Sequence, residues 1–147
     1  SLIKDRISSS LYSKKRLTQF CKYPLLLALD EEINKVNNKY IEIFTNKFFK
    51  KNSPESLNKS VVNLIPISLS KKENLENLKN QIELNSNNIV NIIEELTSCN
   101  NHNHNIIVSS FEELTKKQLL DIQRNIKLNE LNIDGIIMFG NSKTIAI

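Results

Sequence analysis

Cys99, His102 and His104 come nearest in this chain to a chemical site by residue type and spacing. They fall within Cys99-Asn100-Asn101-His102-Asn103-His104. Thiolates and imidazoles at short spacings bind zinc when four of them converge. Here the paired spacing is incomplete, and a fourth ligand would have to come from Cys21, far away in sequence, so no metal is expected. The same residues form the only thiol–imidazole pairing in the chain. A nucleophilic cysteine needs its base held at hydrogen-bond distance by a third group, and a polar Asn/His loop offers no such positioning. No G-x-S-x-G, H-E-x-x-H or glycine-rich phosphate loop occurs. Gly135 and Gly140 are the only glycines, and without glycine a backbone cannot approach a phosphate closely. No catalytic residue and no cofactor site is assigned, and the motifs identify no enzyme.

Two further groupings carry charge. Glu94-Glu95 and Glu112-Glu113 are adjacent carboxylates. On a helix adjacent residues point in different directions, so they read as solvated charges and dipole partners. Lys14, Lys15, Arg16 and Lys143 are the candidate nucleic-acid contacts, with Lys116, Lys117 and Arg124 as further basic positions. RNA readout usually adds exposed aromatics for stacking. Phe44 and Phe48 sit instead on a helical apolar stripe, which leaves phosphate contact without base readout.

The charge is unevenly placed. Residues 1–60 carry 12 Lys/Arg against 6 Asp/Glu, and residues 61–147 carry 8 against 10. A basic first half suits an anionic partner such as RNA or a phospholipid surface. Asn occurs 22 times and Ile 20 times, whereas Ala occurs twice. That bias warns against reading each Asn as a ligand, and it weakens Ile runs as evidence for strands over helices. Two cysteines make no disulfide framework, which points to a reduced, intracellular setting. No apolar run approaches the roughly 18 residues of a membrane span. The chain opens on Ser and closes on Thr144-Ile145-Ala146-Ile147, an apolar ending that suggests a piece of a longer protein.

The elements that would position these residues follow from periodicity. Residues 1–22 form a basic polar N-terminal segment with a short helix over about 11–21. Residues 23–147 form a single domain. Pro24 suits the first turn of a long helix over 24–49, because Leu29, Ile33, Val36, Tyr40, Phe44 and Phe48 recur at helical steps. Residues 61–69 alternate as a strand with both faces covered, and Pro66 pushes it to a sheet edge. Ser70 and Glu73 form a capping box for a helix that turns Leu75, Leu78 and Ile82 inward. Residues 85–88 break the pattern. Ile89, Ile92, Ile93 and Leu96 then suggest another amphipathic helix. After the loop 98–105, Ile106-Ile107-Val108 is a strand. Ser110 with Glu113, or Thr115 with Gln118, caps a helix carrying Leu119, Ile122 and Ile126. Ile136-Ile137-Met138-Phe139 is a second strand. Residues 143–147 are either a last hairpin strand or the start of a new helix. The sum is an α/β or α+β fold: a three- to four-stranded sheet with packed helices and a long N-terminal helix.

The last half carries a resemblance. Asn105-Ile106-Ile107-Val108-Ser109-Ser110-Phe111, then Leu114-Thr115-Lys116-Lys117-Gln118-Leu119-Leu120-Asp121-Ile122-Gln123-Arg124, then a strand into Gly140-Asn141-Ser142-Lys143-Thr144, resemble the N-terminal RNA-binding domain of the ribosomal stalk-base protein family. The resemblance covers residues 72–147. It implies ribosomal RNA binding, with Lys143 near the family's basic turn. In this chain the order of that turn differs and the Arg is displaced by one residue. Three functions are therefore expected, in this order. The first is a non-enzymatic protein–protein interaction module of a larger protein. The second is an RNA- or ribosome-associated module. The third is part of an enzyme whose catalytic residues lie outside the segment, for which a pocket at the C-terminal ends of the strands would speak.

Overall fold

The computed structural model describes residues 14–32, 34–49 and 61–140, excluding the side chains of residues 14–16. The fold is α/β. Five strands, β1 (Leu25–Leu29), β2 (Val61–Pro66), β3 (Ile89–Ile92), β4 (His104–Ser110) and β5 (Gly135–Phe139), form one sheet in the order β1-β5-β4-β2-β3. Every neighbouring pair is parallel. Among the described residues four helices accompany it: α1 (Lys14–Phe20), α2 (Lys35–Phe48), α3 (Lys72–Asn85) and α4 (Lys116–Leu128).

Helices cover both faces. Leu27, Leu29, Val62, Leu64, Ile106, Val108, Ile137 and Phe139 pack with Ile41, Phe44, Leu75, Leu78 and Ile82 of α2 and α3. Ala28, Ile107, Ile136 and Met138 pack with Leu17 of α1 and with Leu119 and Ile126 of α4. Connections that step toward β3 (β1 to β2, β2 to β3) carry helices on the first face. The step from β4 to β5 runs the other way and carries its helix on the second face. The β3–β4 connection also steps toward β1, and its Leu96 packs on the second face. One hand of crossover produces this pattern throughout.

The structure corrects several sequence expectations. The sheet has five strands rather than three or four. The long N-terminal helix over 24–49 does not form. Leu25–Leu29 is a strand, and the helix begins at Lys35, where Asn34 caps it by accepting from Asn37 N. The apolar residues of β1 continue, at helical steps, into the stripe of α2, so periodicity joined two elements. Asn37, buried, breaks them apart: its side chain accepts from Asp30 N and donates to Asp30 O and Glu32 O at 2.9 Å each. The helix expected at Ile89, Ile92, Ile93 and Leu96 is instead strand β3 followed by a 3-10 turn at Leu96–Ser98. A strand in a parallel sheet can be an apolar run without strict alternation.

β2 is an interior strand despite Pro66. Ile67 N donates to Val108 O on β4, and Ile93 N donates to Leu64 O from the β3 side. The backbone groups of residue 66 therefore face β3, whose pairing with β2 ends at Leu64↔Ile92. The missing donor falls where no ladder remains. Val62 and Leu64 pack on one face and Ile67 on the other, so both faces are covered as expected.

Of the expected capping boxes, Thr115–Gln118 forms in full. Ser70–Glu73 does not: α3 starts from Lys71 without a side-chain cap. Residues 143–147 lie outside the described residues. Among the described residues no helix is long and apolar enough to cross a membrane.

Candidate functional site

In an open parallel sheet, ligands bind beyond the C-terminal ends of the strands, where neighbouring strands send their connections in opposite directions. Here that point lies between β2 and β4. The chain leaves β2 toward β3 on one face and leaves β4 toward β5 on the other.

Two loops meet there. Leaving β2, residues 67–71 run into α3; leaving β4, residues 111–114 run into α4. At the base, Ser109 Oγ donates to Ile67 O. Higher up, Ser70 N donates to Glu113 Oε2 at 3.1 Å. The β4–α4 turn is internally braced: Glu113 N and Leu114 N both donate to Ser110 O, and Phe111 N donates to Phe139 O. Phe111 and Leu114 are buried beneath it. Gly140 closes the neighbouring β5 end at φ +101°, a backbone conformation suited to glycine, and a Cβ there would lie 3.3 Å from Ser110 Oγ. On the other side, Lys71 Nζ pairs with Glu31 Oε1 at 3.1 Å, and Asn74 Nδ2 donates to Glu31 O at 2.7 Å. The Glu31 carboxylate, hydrogen-bonded to the ammonium, raises the pKa of Lys71.

Beside this point a pocket of about 460 Å³ opens between the ends of β2 and β3 and the first turns of α3. Pro66, Leu69, Leu75 and Ile92 give it an apolar floor, and Ser68, Lys72, Glu76 and Glu94 give it a polar rim of both charges. Around it the edge is acidic: Asp30 and Glu31 follow β1, Glu94 and Glu95 follow β3, and Glu112 and Glu113 follow β4.

The Cys99–His104 tract singled out in the sequence lies elsewhere. His104 begins β4, at the opposite edge of the sheet. Its Nδ1 lies 2.9 Å from Asp134 Oδ2, and its ring meets Phe48 and Phe49 edge-on. The Asn/His tract is a laced loop: Asn101 Nδ2 donates to Glu130 O, Asn132 N donates to Asn101 Oδ1, and His102 N donates to Asn100 Oδ1. Burial pushes the thiol pKa of both Cys99 and Cys21 up, the opposite of an activated nucleophile. Among the described residues no group of three or more His, Cys, Asp or Glu is placed to hold a metal ion.

Lys14, Lys15 and Arg16 open α1, and their side chains lie outside the described structure, as does the whole of Lys143. Lys116 is used locally, with Nζ 4.4 Å from the Phe20 ring centroid. Lys117 and Arg124 are exposed on α4. Sequence reasoning missed Ser68, Lys72, Glu31 and the bracing role of Glu113. The signal for Ser68 and Lys72 was the strand–loop–helix passage at residues 61–72, whose importance depends on recognising β3 as a strand.

No protein-family model, no curated protein and no solved structure matches this chain.

Proposed function

We propose that this chain is a ligand-binding α/β domain of an enzyme, with catalytic residues supplied from outside the segment described. The observation that carries this is the position of the pocket, at the C-terminal ends of β2 and β3 and next to the switch between β2 and β4. A volume of about 460 Å³ lies within the range of small-molecule sites. The apolar floor suits the body of an organic molecule. The rim, with Lys72 against Glu76 and Glu94, suits a ligand bearing both an acceptor and a donor. The acidic loops disfavour a polyphosphate. The edge offers ammonium, carboxylate and hydroxyl groups but neither imidazole nor an activated thiol, which is why the reading looks beyond these residues for the chemistry.

The test is an amide chemical-shift titration of the chain with a panel of small organic acids, amines and zwitterions. A binder that moves residues 66–76 and 92–94, and that is lost in Glu94→Trp at the exposed rim, supports the reading. Binders that move only other surfaces, or none across the panel, overturn it.

A docking module remains the second reading, on one observation. Val36 and Ile43, seven residues apart on α2, are both exposed, at 53% and 41%. A partner covering them would protect α2 and leave the pocket residues unmoved. The RNA- or ribosome-associated alternative draws on the basic residues. It would replace both readings if the chain bound structured RNA, weakened steeply with salt, and lost binding when Lys14, Lys15, Arg16 and Lys143 were changed to Glu.

A further inference from the structure

The loop between β2 and α3 forms one wall of the pocket through Pro66, Ser68 and Leu69. Its beginning is fastened in the sheet, where Ile67 N donates to Val108 O and Ser109 Oγ donates to Ile67 O. Leu69 gives it an apolar foothold on the α2 and α3 core. Beyond Leu69, two contacts from opposite sides hold it. Ser70 N reaches Glu113 on the braced β4–α4 turn, and Lys71 reaches Glu31 on the loop after β1. Both acceptors are carboxylates, and both contacts are open to solvent. The loop also holds Ser68 at φ +51°, a left-handed conformation uncommon for a residue with a Cβ. α3 adds no side-chain cap of its own to fix the loop.

We propose that residues 67–71 are a strap whose position is set by two carboxylates, Glu113 and Glu31, and whose release frees one wall of the pocket beside the switch between β2 and β4. The inference rests on the ligand-binding reading for its purpose, but not for its geometry. A charge-assisted hydrogen bond from a backbone N–H is stronger than a neutral one. An exposed ion pair is weaker and screened by salt. Glu113 is therefore the main pin and Glu31 the secondary one. The β4–α4 turn is braced independently of the strap, by Glu113 N and Leu114 N on Ser110 O, so the anchor stays in place when the strap moves.

Amide hydrogen exchange on the full chain tests this without any ligand. Glu113→Ala is expected to speed exchange at Ser70 by roughly tenfold, with Glu31→Ala adding a smaller effect at residues 70–72. Glu113→Gln, which keeps an acceptor oxygen, restores slower exchange. About 1 M salt, where the screening length falls to roughly 3 Å, speeds exchange in the parent chain and has little further effect in the double Ala variant. Amides of β2 and β4 keep their protection throughout. Unchanged Ser70 exchange in both Ala variants would overturn the strap, and so would uniform loss of protection across β2 and β4. A strap that behaves as expected in a chain that binds nothing from the small-molecule panel would sink the ligand reading alone.

Discussion

Asn63 and Asn105 stand opposite one another in the β2–β4 register, both buried, with Asn63 Nδ2 donating to Asn105 Oδ1 at 3.0 Å. Asn105 Nδ2 spends its two protons on Asn100 O and Asn132 O, at 3.1 Å each. One side chain thus joins β2 to the β3–β4 and α4–β5 loops at the edge away from the pocket. Buried amides are costly when unpaired, and Asn105 is the node of this set.

Asn105→Ala is expected to cost about 2–4 kcal/mol, because it orphans the Asn63 amide and two loop carbonyls at once. Asn63→Ala removes one bond and is expected to cost about half as much. Chemical denaturation of the two variants checks the order; equal losses would deny Asn105 its central place.

Two of the sequence motifs of capping-box form, Thr115–Gln118 and Ser70–Glu73, should behave differently. Thr115 Oγ1 accepts from Gln118 N at 3.2 Å, and Gln118 Oε1 accepts from Thr115 N at 2.9 Å. Thr115→Ala is expected to cost about 1 kcal/mol. Ser70→Ala removes no cap, since α3 has none from a side chain, and should stay within about 0.5 kcal/mol. Denaturation midpoints at constant slope decide between them.

Gly135 sits under Leu26. A Cβ at Gly135 would lie 2.4 Å from Leu26 Cγ, too close to coexist with the present rotamer. Gly135→Ala is expected to destabilise by about 1–3 kcal/mol through overpacking. Leu26→Ala in the same chain should recover part of that loss, a coupling that a double-mutant cycle reads directly. Additive losses would mean that the clash is absorbed elsewhere.

The thiols give a pH signature. Burial raises the folded-state pKa of Cys21 and Cys99, so the folded chain holds these protons at a pH where the unfolded chain releases them. Their contribution to stability is complete below the unfolded thiol's pKa and is lost as pH rises through the folded value. Alkylation should accordingly be slower than for free cysteine at neutral pH. Gln123 links this to packing: its Oε1 accepts from Lys22 N at 2.6 Å and its Nε2 donates to Phe20 O at 3.0 Å, bracketing Cys21. Gln123→Ala is expected to speed alkylation of Cys21 and not of Cys99, as resolved by peptide mass mapping.

Where local chemistry decided the outcome, the sequence by itself was enough. Leu75, Leu78 and Ile82 on α3, Leu119, Ile122 and Ile126 on α4, and strands β4 and β5 are all written in spacing of a few residues. These features depend on helix geometry and on neighbours along the chain. What the tertiary structure decided is non-local. Leu25–Leu29 is a strand because β5 lies beside it, and Ile89–Ile92 because β2 does; alone, each apolar run fits a buried helix equally well. Pro66 sits in an interior strand only because β3 stops short of it, which no rule about proline can report. The pocket needed all of this. Ser68 on the loop after β2, Lys72 at the start of α3 and Glu94 after β3 share a rim only once the parallel order of the sheet brings the ends of β2 and β3 together.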